Sequence, residues 1–404
     1  MRRTSPRRLL AATLLVASVL APITTAPATA VPAVPAVPAP GAGPHHGDDC
    51  PHGLGPALSA KLDRTVEDVR KQAGIPGLVV GLWMPGKGCY VRATGIADKA
   101  TGRPMFTDTY TRIGSVTKTF TVTALLELVD QGKVGLDDPI DTYVRGVPNG
   151  DKITLRHLAE MRSGLFPYTS DPDFIHDLLS EPERAFNPWE VLSYGYRHAN
   201  TFEPGAKFEY CNSNLTLLGL VVEKVTGQTL ADVIRTHVVR PAGLRHSFLP
   251  EGAEFPEPHA HGYSNQTLSG AVEDTTDWNP SWAWAAGGMI SNLQDLRRWA
   301  PVLATGKLLS PETQAQRLKT LPTGFPGTTY GLGILETNGW IGHNGSLPGY
   351  ETVTVYLPQE KATLVLILNT DSLVDGQEPS TLVARAITSV VTPDHVYAGK
   401  VVSP

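Results

Sequence analysis

Ser115 and Lys118 stand three residues apart in Ser115-Val116-Thr117-Lys118, a hydroxyl and an amine with the spacing of one helical turn. A serine hydroxyl is a poor nucleophile until a neighbouring base takes its proton, and an amine so placed can do this without a catalytic histidine. An unperturbed lysine has a pKa near 10.4, so only about one in 2,500 is neutral at pH 7. Lys118 therefore acts either as a base made neutral by burial or a nearby cation, or as a cation that lowers the pKa of another group. Such a site also needs a proton carrier to the leaving group. Tyr210-Cys211-Asn212 offers one just ahead of a helical pattern, at the end of a Pro-Gly-containing approach. A second triplet, Tyr263-Ser264-Asn265, lacks that approach and the following helix and reads as scaffold. His343-Asn344-Gly345-Ser346 supplies a third polar cluster, where a basic residue, a small polar one and a glycine on an edge strand would present backbone N–H groups and amide or hydroxyl donors to a substrate.

The elements that must carry these residues can be read from apolar spacing. Residues 107–114 read as loop, and 119–131 repeat apolar side chains at Phe120, Ala124, Leu125 and Leu128, so Ser115 and Lys118 fall at the start of a helix that Gly132 stops. A helix over 58–73 with Leu58, Leu62, Val66 and Val69 on one stripe precedes two strands, 78–84 and 90–97, joined by a Pro85-Gly86 turn. Helical patterns follow at 155–161, 188–198, 214–226 and 230–239. Strands return at 352–357 and 362–369, and an amphipathic helix over 381–391 closes the order. The predicted fold is α+β: an antiparallel sheet built from both ends of the chain (about 50–114 and 286–395) and flanked by helices, with an all-helical region, about 115–285, inserted between its halves.

Bulk properties exclude several functions. In 404 residues, 41% are hydrophobic and only 18% charged, which supports a sizeable core and argues against disorder or nucleic-acid binding. Arg2, Arg3, Arg7 and Arg8 precede an apolar run over 9–23 and the small residues Ala28-Thr29-Ala30, the pattern of a secretory signal peptide over 1–30. Arg7-Arg8 also admits a twin-arginine reading, though its flanks match poorly. Cleavage would remove four arginines and no acid, leaving a secreted chain with 30 basic and 39 acidic residues and no stable membrane anchor. Residues 31–44 alternate Pro, Ala and Val, and 31–49 read as an extended linker. His45, His46, Asp48 and Asp49 at its end have nothing to fix a metal geometry, so no metal or cofactor is expected. Of Cys50, Cys89 and Cys211, the first two are the better disulfide pair in an oxidising compartment. No Gly-x-Ser-x-Gly elbow occurs, which disfavours an α/β-hydrolase.

In this order and at these separations, the three clusters resemble the penicillin-recognising serine hydrolases, the superfamily of class C β-lactamases and secreted D-alanyl-D-alanine carboxypeptidases. The resemblance runs over residues 75–369 and includes Arg112-Ile113-Gly114 before the serine, Arg162-Ser163-Gly164-Leu165, and Gly349-Tyr350. It implies a serine β-lactamase-like fold in which Ser115 is acylated, Lys118 activates it, and Tyr210 relays the proton to the departing amine and helps activate the deacylating water. Asn212 would bond Lys118 and the substrate amide, His343 would set a polar or positive group opposite Tyr210, and the N–H groups of Ser115 and Ser346 would form the oxyanion hole. Phe174 and Trp282 match cleft-wall aromatics and read equally well as core. The implied function is a carboxypeptidase on peptidoglycan stem peptides that β-lactams acylate. An esterase, β-lactamase or D-aminopeptidase on the same scaffold is the alternative, and a non-catalytic penicillin-binding sensor the less favoured one. Two positions depart from the pattern. Asn344 stands where the carboxypeptidases have threonine, and Leu335 and Glu336 stand where an arginine follows Tyr330-Gly331-Leu332-Gly333. A charge-assisted contact to a terminal carboxylate, worth roughly 1.5–3 kcal/mol, would be missing there.

Overall fold

The computed structural model describes residues 52–399. The expected signal peptide, the linker, the His45-to-Asp49 cluster and Cys50 lie outside the described residues. Cys89 is disulfide-bonded and Cys211 is a free, buried thiol.

Helix α1 (Pro56–Gln72) opens with proline in its first turn, where the missing N–H costs nothing, and buries Leu62 and Val66. Strands β1 (Gly77–Met84) and β2 (Gly88–Asp98) form the expected hairpin. All eight residues of β1 are buried, which is why it reads as an unbroken apolar run and sits inside the sheet. Helix α2 (Thr117–Asp130) carries Lys118 in its first turn. Helices α3 (Pro172–Ser180) and α4 (Asn212–Thr226) belong to the inserted region, and α5 (Leu293–Thr305) leads back to the sheet. Strands β3 (Trp340–Leu347), β4 (Tyr350–Leu357) and β5 (Ala362–Leu368) and helix α6 (Pro379–Val391) complete the layers.

The long strands lie in the antiparallel order β2-β1-β5-β4-β3. Short strands extend the sheet at both ends, Arg103–Pro104 beyond β2, and Leu335–Thr337, Thr328–Tyr330 and Leu321–Pro322 beyond β3. The N- and C-terminal parts of the described chain thus share one sheet, because β1 and β5 are neighbours. Leu78, Val80 and Leu82 of β1 face α1 and α6, where they meet Leu62, Val383 and Ile387. Val79 faces the other core with Val365, Ile367, Leu293 and Trp299. The result is a helix–sheet–helix sandwich with the inserted region beside it.

Three differences from the sequence reading have physical causes. Helix α2 is buried nearly all round, not along one stripe, because its threonine hydroxyls are satisfied inside the protein. Thr121 donates to Ala285 O at 2.7 Å, and Thr119 accepts from Trp299 Nε1 at 2.8 Å. The inserted region contains, besides helices, a two-stranded ribbon between Tyr263–Ser264 and Glu273–Asp274. Helices α3 and α5 were not anticipated. Each has an Asx cap, Asp171 Oδ1 accepting from Phe174 N at 2.9 Å and Asn292 Oδ1 from Asp295 N at 3.0 Å. Among the described residues no helix is long and apolar enough to cross a membrane.

Candidate active site

Ser115 sits in a single 3-10 turn, Gly114–Val116, that runs straight into α2. It is partly exposed, whereas Lys118 one turn later is fully buried. Lys118 Nζ lies 2.8 Å from Ser115 Oγ and donates to Ala286 O at 2.8 Å. Burial holds its pKa well below the ordinary lysine value, and the positive end of α2 adds to the cost of an ammonium there. Among the described residues the influence opposing this is Cys211, whose own thiol burial pushes to about 11, so at neutral pH it offers no anion. Burial thus favours the neutral amine at Lys118, 2.8 Å from the serine hydroxyl.

Tyr210 also hydrogen-bonds Ser115, and the Lys118 amine lies 4.8 Å from its ring centre. Burial raises the Tyr210 pKa above the ordinary phenol value, outweighing the Ser115 bond that lowers it, so Tyr210 rests as a neutral phenol. Of the two roles that the sequence left open for Lys118, the geometry supports the neutral base. The loop that carries Tyr210 is fixed by residues 161–165. Ser163 Oγ donates to Asn214 Oδ1 at 2.6 Å, Glu209 N donates to Met161 O at 2.9 Å, and Leu165 N donates to Ser163 Oγ at 3.1 Å.

The third cluster lies on β3, beyond the stretch where Leu335–Thr337 covers that strand's edge, so residues 343–347 meet the Ser115 turn. A methyl group on Gly345 would fall 2.0 Å from Ile113 O, and one on Gly114, whose φ is +49°, would fall 2.6 Å from Ser346 N. Only glycines at both positions let the two backbones approach this closely. That approach brings the Ile113–Gly114 backbone, immediately before Ser115, against the backbone of Gly345 and Ser346.

The remaining expected residues separate. His343 is fully buried, its Nε2 is 3.0 Å from the Tyr330 hydroxyl and its Nδ1 is 2.5 Å from Asn344 O. A carbonyl can only accept, so Nδ1 carries the proton and Nε2 accepts from Tyr330. Burial, with Lys118 nearby, lowers its pKa to about 3. His343 is thus neutral and fully engaged, its ring centre 6.2 Å from that of Tyr210, so of the polar or positive group expected opposite Tyr210 it is the polar one. Asn344 points away from the cleft: its Nδ2 donates to Glu378 Oε2 at 2.8 Å, and its cross-strand partner Val353 packs in the core under α1 and α6. The pleat of β3 is the reason, since neighbouring side chains face opposite ways. Asn212 lines the cleft, but its expected bond to Lys118 is not made. Lys118 uses Ala286 O instead, and Asn212 Oδ1 has no partner. Ser346 and Trp282 line the cleft, and Phe174 touches it while only 2% exposed, so it is core and wall at once. Tyr263 and Ser264 are scaffold, Ser264 Oγ donating to Asp371 at 3.1 Å. The sequence reading missed the α3 wall with Ile175, Leu178 and Leu179, although Asp171-Pro172 followed by apolar residues at 174, 175, 178 and 179 is a capped-helix signal.

Comparisons with known proteins agree with this fold. The chain is 28% identical to a D-aminopeptidase of Brucella anthropi over 77% of its own length, and it spans 59% of the length of that relative. It is 28% identical to esterase EstB of Burkholderia gladioli, covering 69% of this chain and 78% of the esterase. The D-amino acid amidase of Ochrobactrum anthropi SV3, solved with L-phenylalanine amide, superposes with a TM-score of 0.74 at 28% identity, over 83% of this chain and 97% of the amidase. Residues 62–387 match the beta-lactamase family model, so the chain belongs to the beta-lactamase family of serine hydrolases.

Proposed function

We propose that the protein hydrolyses small amides and esters of D-amino acids through an acyl-enzyme on Ser115. The observation that carries this reading is the fully buried Lys118 amine 2.8 Å from Ser115 Oγ, where burial favours its neutral form. As Oγ attacks the substrate carbonyl carbon, its proton passes to Lys118 Nζ. The carbonyl oxygen becomes an oxyanion facing the Ser115 and Ser346 N–H groups, where each donor is typically worth about 3 kcal/mol of barrier. Collapse breaks the bond to the amine or alcohol, which takes the Tyr210 hydroxyl proton, and Lys118 reprotonates Tyr210. Water, deprotonated by the same pair, then attacks the ester carbonyl and frees Ser115 and the acid. The buried and unpartnered Asn212 Oδ1 is an acceptor for the substrate amide N–H. The D-amino acid preference is drawn from the D-aminopeptidase and amidase relatives.

A second reading, D-alanyl-D-alanine carboxypeptidase on peptidoglycan stem peptides, is favoured by the order of the three motifs. We also propose export from the cell, on the basic and apolar character of residues 1–30. The test is intact-mass measurement after incubation with a penicillin, beside turnover of a D-phenylalanine ester, a D-phenylalanine amide and an acyl-D-Ala-D-Ala peptide. An adduct on Ser115, together with ester or amide cleavage that Ser115→Ala abolishes, is expected. Activity surviving in Ser115→Ala would mean that another nucleophile operates, and release of D-alanine as the fastest reaction would favour the second reading. N-terminal sequencing of protein from culture medium checks export, which a full-length chain retained in cells would refute.

A further inference from the structure

The cleft in front of Ser115 has a volume of about 170 Å³. One wall is Phe174, Ile175, Leu178 and Leu179 of α3, and Trp282 and Leu347 close it from elsewhere. This wall is preorganised. Phe174 packs edge-on against Tyr168 and Tyr194 with ring centres 5.1 and 5.5 Å away, and Asp171, which caps α3, is held by His198 Nε2 at 2.7 Å.

The polar groups around the cleft are hydroxyls and amides, and among the described residues lining it none is Asp, Glu, Lys, Arg or His. Lys118 lies fully buried behind Ser115, where burial favours the neutral amine, and His343 is neutral and enclosed. Asn344, which could have met a carboxylate, is turned to Glu378. Gln266 directs its Nε2 to Asp371 at 2.6 Å, and the Asn212 oxygen is an unpaired acceptor. A substrate carboxylate or ammonium here would lose its water without gaining a charged partner. An apolar side group and an amide N–H would both be matched.

We propose that the cleft selects uncharged acyl donors: N-acylated amino-acid esters and amides with an aromatic or branched aliphatic side group, with neither a free α-ammonium nor a free carboxylate beside the scissile bond. This rests on the acyl-enzyme reading of Ser115 and sets aside, within it, the free D-amino acid amides that the names of the relatives suggest.

The test compares kcat/KM of the full chain on four compounds sharing one nucleus: N-acetyl-D-phenylalanine methyl ester, N-acetyl-D-phenylalanine amide, D-phenylalanine amide and N-acetyl-D-phenylalanyl-D-alanine. At pH 6.5, below the ordinary α-amino pKa of about 7.7–8.0, the third is a cation, while the fourth is an anion. The neutral amide is expected to exceed both charged amides by at least about tenfold, the size of one missing charge-assisted contact. A charged amide cleaved as fast as the neutral one, or no cleavage of either neutral compound, overturns the proposal. Activity that survives in Ser115→Ala instead overturns the acyl-enzyme reading, so the two failures are distinguishable. A gain of function provides a second measurement. Ile175 is 42% exposed at the cleft, where the surface tolerates a long cation. Ile175→Arg should raise kcat/KM for the carboxylate compound about tenfold relative to the neutral amide; an unchanged ratio in the folded variant counts against charge as the selecting feature.

Discussion

Lys118 must be neutral to accept the Ser115 proton, and the protein makes it so by removing it from water and leaving no carboxylate beside it. Nζ donates to Ser115 Oγ and to Ala286 O, each at 2.8 Å, which holds the amine within proton-transfer distance of the serine hydroxyl. A group whose folded pKa lies below its unfolded value opposes folding at neutral pH, because the unfolded chain binds a proton that the native state refuses. That penalty is absent above the unfolded value and grows as pH falls. Lys118→Met should therefore lose at least about 10³-fold in kcat/KM, as expected for loss of the general base, yet its urea midpoint at pH 7 should match or exceed that of the parent. The acid limb of kcat/KM in the parent should fall well below the ordinary lysine range near 10.4. A limb near 10, or a large loss of stability in Lys118→Met, would show that Lys118 is held as a cation.

At the scale of elements, the site depends on β3 meeting the Ser115 turn at backbone distance. Gly345→Ala would set a methyl against Ile113 O, so β3 must retreat and carry the Ser346 N–H away from the Ser115 turn. Losing one oxyanion donor costs about 10²–10³ in kcat. Gly345→Ala should show a loss of that order with KM changed far less, and a kcat within a few-fold of the parent would mean that Ser346 N–H takes no part. This strand also shows what a sequence reveals and what it hides. The all-buried β1 and the striped α1 were legible because burial alone fixes their pattern. The Ser115, Tyr210 and His343 clusters were legible by residue type and order. Which way Asn344 faces was not, since it follows from the pairing Asn344↔Val353, a partner across a sheet. Helix α3 left a capped-helix signal at Asp171-Pro172, but its place in the cleft wall was hidden, because Tyr168, Phe186 and Tyr194 arrive from separate segments to complete the packing.

Across the whole molecule, acids are buried where β4 meets the N-terminus of α6, on strands that also hold the site. Glu351, the cross-strand partner of Ser346, has no solvent exposure, and its Oε2 accepts from Ser380 N at 2.7 Å. Burial raises its pKa well above the ordinary 4.5, with Glu378 and then Asp371 adding to the shift. Ser380 opposes it, as does the positive end of α6, but desolvation dominates, so burial favours the protonated acid. The folded state holds a proton that the unfolded chain gives up. This contribution to stability is fully present below the unfolded carboxylate pKa and declines as pH rises towards the folded value. The decline approaches about 1.4 kcal/mol per pH unit at its steepest. Glu351→Gln keeps the shape and removes the proton, so its unfolding free energy should fall less between pH 5 and pH 8 than that of the parent. Urea unfolding at each pH unit measures both slopes, and parallel curves would show that Glu351 is ionised in the native protein. Ser346 pairs with Glu351 across the β3–β4 register, so a charge forming on this glutamate would arise on the strand next to Ser346. Activity lost reversibly at alkaline pH in the parent should accordingly be retained in Glu351→Gln.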